Sequence, residues 1–350
     1  MANPTLLDEL AKQGAERGEY AGAPAAVSFG DPRRELEALR TGCGIYELGW
    51  QGKLVVSGGD RSRWLNGMVT NNVRDLAINR GNYSFLLNPQ GRILGDLNAY
   101  NRGEIFLLTS DLAQFPKLRE FLDRYIIMDD VELADISDKL GSIGIAGPAA
   151  VSVLQRFGAP VDLEPGEVRD YAFEGTGYSL VRGTLEAPAN YEIWASPEQL
   201  PRFWKALVSA GAVPAGAQAL EWLRILNGIP RYGQDITERY LPQETGQMRA
   251  LHFVKGCYIG QEIVERIRAR ALLHRGFAGL QLQGALPAIG AVISADGKKL
   301  GEITTAATIP LAEGERFVAL GYIRKESSEP GTRVQAGDTS ATVSALPFKF

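Results

Sequence analysis

The stretch Tyr83-Ser84-Phe85-Leu86-Leu87-Asn88-Pro89-Gln90-Gly91-Arg92-Ile93-Leu94-Gly95-Asp96 reads as two apolar runs flanking a turn. Asn in the first position, Pro in the second and Gly in the fourth is the preferred chemistry of a type I turn, so the segment is expected to form a β-hairpin. Closed by Asn88 and Gly91, the turn sets Leu87 opposite Arg92 and Tyr83 opposite Asp96. Along the second strand Leu94, Asp96, Asn98 and Tyr100 then point one way, and Ile93, Gly95, Leu97 and Ala99 the other. A carboxylate flanked by aromatic rings and an amide suits a flat heterocycle that offers hydrogen-bond donors. A solvent-facing polar strand edge would leave the same pattern.

Outward from the hairpin, the punctuation is that of a mixed α and β protein. An opening helix is expected from Pro4 to Arg17. In Asp31-Pro32-Arg33 an N-cap and a first-turn proline start a helix that Gly42 can end. Asp60 can cap a helix running to about Asn66, and Lys53–Ser57 is rich in β-branched residues. Phe115, Leu118, Leu122 and Tyr125 recur at helical spacing, with Pro116 in the first turn. Strands are expected near Ile143, Ser179 and Glu192, and helices from near Pro197 and Gly216. From about Phe277 short alternating runs separated by Asp296-Gly297, Glu313-Gly314, Pro330-Gly331 and Gly337-Asp338 describe a small β-rich domain. The expected divisions are 1–135, 136–275 and 276–350.

A chain of 350 residues is long enough for two or three structural units. Residues 1–18 lack the apolar core of a secretory signal, and no run approaches the ~18 apolar residues that span a bilayer. The cytoplasm is the expected location, with no membrane partner. Two cysteines, Cys43 and Cys257, make no disulfide framework, and with two histidines they leave little for a protein-built metal site. The net charge of −4 argues against generic nucleic-acid binding, yet residues 249–275 carry six cations against Glu262 and Glu265. Arg266, Arg268 and Arg270 could meet an anionic partner, or could form a solvated helix face with Glu262 and Arg266 as an ion pair.

Within that basic window stands Lys255-Gly256-Cys257-Tyr258-Ile259-Gly260-Gln261-Glu262. The two glycines let the backbone turn tightly or approach another group. An ammonium brought to ~4 Å from a thiolate would contribute about 1–4 kcal/mol and bring the thiol's pKa from about 8.5 toward neutrality. A helix following through Ile263, Val264, Ile267 and Ala271 would add its N-terminal dipole. Cys257 and Lys255 are therefore candidate catalytic residues, beside Asp96. Cys43, between Gly42 and Gly44, reads as a buried structural thiol.

The octet Lys255–Glu262 resembles the signature of the YgfZ branch of the aminomethyltransferase-like, folate-binding family. Leu223-Arg224, Tyr232-Gly233-Gln234-Asp235, Tyr83 and Asn88–Asp96 resemble the glycine-cleavage aminomethyltransferase pattern, and the similarity covers most of the chain from about Arg40. The resemblance implies an α+β fold of three subdomains around a tetrahydrofolate cavity, the last a small β-barrel. It implies a pocket for tetrahydrofolate or a one-carbon derivative that uses Tyr83, Asp96, Glu192 and Arg224. In aminomethyltransferases the essential carboxylate is the second Asp of a Gly-Gly-x-x-Asp-Asp run. Here Asp96 matches it and Gly95 replaces its neighbour. The leading expectation is a folate-binding accessory factor for maturation or repair of iron–sulfur client proteins, including tRNA-thiomethylating enzymes. The alternatives are a folate-dependent aminomethyltransferase and a non-catalytic folate-sensing scaffold.

Overall fold

A computed structural model describes residues 6–185, 189–270 and 273–350. The chain divides into two compact units, one formed by residues up to Ser84 with Asp96–Leu220, the other by Phe85–Gly95 with Glu221–Phe350. No helix among the described residues is long and apolar enough to cross a membrane.

The first unit is built on a six-stranded sheet in the order Val168–Phe173, Thr176–Arg182, Asn190–Ala195, Gly141–Ala146, Gly44–Glu47 and Val213–Pro214. All neighbours are antiparallel except the last pair. Leu10, Leu154, Phe203 and Leu207, from three helices, bury against Ile143, Ile145 and Ile193 of this sheet. A second, five-stranded sheet runs Arg80–Leu87, Ile93–Asn101, Phe106–Asp111, Gln51–Ser57 and Glu132–Asp135. Tyr100 of this sheet meets Trp194 of the first edge-on, with ring centroids 5.0 Å apart. Removing these rings from water is the kind of burial that holds two sheets together.

Local signals act as their chemistry requires. Asp31 accepts hydrogen bonds from the backbone N–H groups of Arg33 and Arg34 and caps the helix Pro32–Thr41, which ends at Gly42. Asp60 precedes the helix Arg61–Met68 without a side-chain cap bond, because its Oδ2 accepts from the Asp130 backbone instead. The opening helix departs from expectation. It covers Leu6–Lys12, and Glu16–Tyr20 is a strand paired with Ala23–Ser28. The helix stops where Gly14 takes a φ of 98° and the N–H groups of Gly14 and Ala15 satisfy the carbonyls of Ala11 and Leu10. Pro4, the expected start, lies outside the described residues.

The second unit contains a closed antiparallel barrel, ordered Arg275–Leu282, Gly314–Arg324, Lys298–Leu311, Val292–Ala295, Arg333–Ala336 and Thr339–Ser344. The last strand pairs back onto the first, so the barrel has no open edge. Leu280, Ile293, Ile303, Ile323 and Val343 fill it.

The hairpin tip belongs to this unit, and its register differs from the expected one. Gly91 N donates to Asn88 O at 2.9 Å, the bond of a type I turn, but Asn88 N also donates to Arg92 O at 2.9 Å. Asn88 therefore stands opposite Arg92, where Leu87 was expected. The cause is twofold: the Asn88 side chain accepts from Gln90 N and Arg92 N, and Gly91 takes a φ of 70°, giving a three-residue loop with a bulge. The tip is packed against the helix Gln261–Arg270 and the turn before it. A Cβ on Gly260 would lie 2.6 Å from Asn88 O, and one on Gly91 would lie 2.7 Å from Ile263 Cβ.

Gly260 also has a φ of 81°, so Gly260→Ala combines backbone strain with a clash against a carbonyl. The expected loss is about 2–5 kcal/mol. Gly256→Ala, at φ 94° with open space around it, is expected to lose only about 1–2 kcal/mol. Denaturant midpoints of the two variants check the difference, and equal losses would contradict the packing role.

Candidate functional site

The strand Ile93–Asn101 presents Asp96 to two donors in the first unit. Tyr83 Oη donates to Asp96 Oδ2 at 2.6 Å, and Gln114 Nε2 donates to Oδ1 at 2.9 Å. Tyr83 and Asp96 thus meet despite the shifted register at the tip. The main chain is fixed as well: Asp96 N donates to Gln114 Oε1 at 3.2 Å, and Ser110 Oγ donates to Asp96 O at 2.7 Å. Gln114 ends the 3-10 turn Leu112–Gln114 and is buried. Both carboxylate oxygens hold a donor, and an ionised carboxylate has roughly four acceptor directions.

Glu192 lies on the strand Asn190–Ala195 and is also buried. Trp194 Nε1 donates to its Oε2 at 2.7 Å, and Gln51 Nε2 reaches its Oε1 at 3.4 Å. Behind Gln51 stands Lys53, two residues along the strand Gln51–Ser57 and fully buried. Its ammonium donates to Gln51 Oε1 at 2.5 Å and lies 5.7 Å from the Trp194 ring centroid. Burial lowers the Lys53 pKa to about 8, while the charge of Glu192 opposes the fall. The hydroxyl of Tyr46, across the sheet, is held far above its ordinary range by burial and then by Glu192. It stays protonated.

In the second unit Arg224 is engaged in a buried network. It donates to both oxygens of Glu221 at 2.6 and 2.9 Å, to Asp235 Oδ2 at 2.6 Å and to Ile229 O at 2.7 Å. Asp235 has no exposure and also accepts from Thr304 Oγ1 and Thr305 Oγ1. This arrangement ties the 229–236 turn to the barrel strand Lys298–Leu311. Charges that deep persist because every one is paired and hydrogen-bonded.

The Lys255–Glu262 segment separates its two reactive groups by environment. Lys255 is 1% exposed, with its ammonium 4.9 Å from the Tyr258 ring centroid, whereas Cys257 is exposed. Tyr258 is buried, and Gln261 Oε1 accepts from Tyr258 N at 3.3 Å at the start of the helix Gln261–Arg270. On that helix Arg266, Arg268 and Arg270 are exposed. The surface ion pair joins Arg268 to Glu265 at 3.2 Å, a spacing different from the anticipated Glu262–Arg266 pair. Ala271, the expected last apolar position, lies outside the described residues. Cys43 is buried, and that burial raises its thiol to a pKa of about 11.

Sequence reading missed Gln114, Gln51, Lys53 and Trp194. One signal is available: Lys53 directly precedes the apolar run Leu54–Val56 in its strand, a placement that needs a buried partner.

The model of the family described as the GCVT N-terminal domain matches residues 6–255. An aminomethyltransferase of Rubrobacter xylanophilus is 28% identical over 349 residues, covering 99% of this chain and 93% of that protein. A putative chloroplastic transferase of Arabidopsis thaliana is 28% identical over 347 residues, covering 98% of this chain and 79% of that protein. The crystal structure of glycine cleavage system aminomethyltransferase T from Bartonella henselae shares the fold, with a TM-score of 0.86 at 22% identity and coverage of 98% and 97%. With a match spanning well over half its length, this chain belongs to the GCVT N-terminal domain family.

Proposed function

We propose that this protein binds tetrahydrofolate or a one-carbon derivative and acts as a one-carbon transferase of the aminomethyltransferase type. The observation that carries the reading is the double anchorage of Asp96 by Tyr83 and Gln114. A carboxylate held at both oxygens and at its own backbone is preorganised, so it loses little further freedom when it accepts hydrogen bonds from a ligand. A reduced pterin offers adjacent ring and amino N–H groups, which two carboxylates kept as acceptors can receive. Asp96 and Glu192 are assigned this role, with Tyr83 orienting Asp96. When bound, tetrahydrofolate supplies the nitrogen that takes up the one-carbon unit. Asp96, as the anionic acceptor, assists proton movement there. Arg224, committed to Glu221 and Asp235, holds the 229–236 turn within the second unit.

The name aminomethyltransferase on the bacterial relatives supports this reading over the accessory-factor reading. The latter, a folate-binding factor of the YgfZ type serving iron–sulfur clients, draws on a different observation. Cys257 is exposed on the octet loop, followed by three exposed arginines. That surface would meet the client.

Asp96→Asn keeps the shape and removes the charge. Losing a charge-assisted hydrogen bond should weaken tetrahydrofolate binding about 10- to 100-fold, measured by calorimetry, and abolish one-carbon release from an aminomethylated carrier. Unchanged affinity would remove Asp96 from the pocket. A thiol reagent at neutral pH should label Cys257 and leave Cys43 untouched until unfolding. In the accessory-factor reading Cys257→Ala abolishes support of an iron–sulfur enzyme while folate affinity stays intact. Normal client activity in that variant excludes it.

A further inference from the structure

A fully buried ammonium that makes no ion pair among the described residues is costly, because its charge is out of water with little to replace the lost hydration. Lys53 is such a group. Its donor bond goes to the Gln51 amide oxygen, and Gln51, Trp194 and Glu192 are grouped around it.

We propose that Lys53 and Gln51 are positioning residues for folate recognition, holding Glu192 as an oriented, acceptor-only carboxylate. An amide has one acceptor end and one donor end. With the ammonium bound to Oε1, the donor end of Gln51 must face away, and there it meets Glu192 Oε1. Ser142 Oγ, which donates to Gln51 Oε1 at 3.4 Å, is compatible with the same orientation but, able to donate or accept, does not impose it. A second path runs through Trp194, whose ring takes the ammonium and whose Nε1–H donates to Glu192 Oε2. Both oxygens of Glu192 carry a donor: the one on Oε1 has its direction set from Lys53 through Gln51, and the one on Oε2 comes from a ring that Lys53 approaches. The inference rests on the reading that Glu192 faces the pterin.

The charge on Lys53 is lost within an accessible pH range, since burial brings its pKa to about 8. The titratable groups around it are few. Glu192 projects from Asn190–Ala195, and Tyr46, from Gly44–Glu47, remains protonated. Asp135 reaches the Lys53 backbone through Ser137, whose Oγ accepts from Lys53 N. A neutral amine can accept as well as donate, so above pH 8 the Gln51 amide is free to turn its donor end away from Glu192.

The test is calorimetric titration of the full chain with 5-formyl-tetrahydrofolate across pH 6 to 9.5, for wild type, Lys53→Met and Gln51→Met, alongside Asp96→Asn. Wild-type affinity should fall several-fold as pH rises through about 8. Lys53→Met should bind about tenfold more weakly at pH 7, the equivalent of one lost oriented hydrogen bond, and its affinity should be flat across the same range. Gln51→Met should behave alike, and combining the two should add little. Thermal unfolding gives a readout without ligand. The folded pKa of about 8 lies below the ordinary 10.5, so protonated Lys53 destabilises the fold below pH 8 and the penalty fades between the two values. Lys53→Met should therefore melt higher than wild type at pH 7, with the gap closing toward pH 10. Wild-type affinity and pH profile in both variants, with Asp96→Asn still weakened, overturns this inference alone. Absence of wild-type binding overturns the folate reading and this inference with it.

Discussion

The close approach of Gly260 to the Asn88 carbonyl is the constraint that seats the hairpin turn against the octet segment. A side chain at that position would push the turn off the octet segment, and a side chain at Gly91 would push it off Ile263. The same tip is held by Arg92 Nη1 to Arg239 O at 2.7 Å and by Tyr232 Oη to Leu94 O at 2.5 Å. Two residues beyond Leu94 the strand reaches Asp96. The conspicuous octet thus has a packing role that does not depend on its thiol: its glycine seats the hairpin turn of the second unit.

Three carboxylates, Asp235 and Glu192 buried and Asp96 half-buried, use different solutions to the cost of leaving water. Asp235 is neutralised by Arg224 and saturated by threonine hydroxyls and backbone, which suits a structural joint. Asp96 is fixed by neutral donors, Tyr83 and Gln114, so its charge is oriented but not cancelled by them. Glu192 is intermediate, with an ammonium close enough to influence it but interposed by an amide. A carboxylate paired directly with a guanidinium has little left for a ligand. Tyr83 and Gln114, by contrast, orient the Asp96 carboxylate without bringing a cation to it.

Much of the architecture was legible because it depends on local chemistry. Asp31 with Pro32 marks a helix start through orphan N–H groups nearby in sequence, and the Gly-containing turns after Phe277 separate the barrel strands. The resemblance carried by Asn88–Asp96 points to the family and to a terminal barrel, while the Tyr83–Asp96 contact is read from the turn between the two strands. Other features were hidden because they depend on distant residues. Gln51 reaches Glu192 across 141 positions, and Gln114 reaches Asp96 from a different element. The turn register slipped by one because the Asn88 side chain bonds to Gln90 and Arg92, a competition that a list of preferred turn residues does not rank. Gly14 is a helix stop readable from residue type, since glycine takes the positive φ found there without strain.

The central claim is that a carboxylate anchored by a phenol and an amide receives the reduced pterin. A crystal structure of the protein with 5-formyl-tetrahydrofolate tests it most directly. Pterin N–H groups are expected within hydrogen-bonding distance of Asp96, with Tyr83 and Gln114 keeping their bonds to it. A pterin ring bound away from both Asp96 and Glu192 would contradict it.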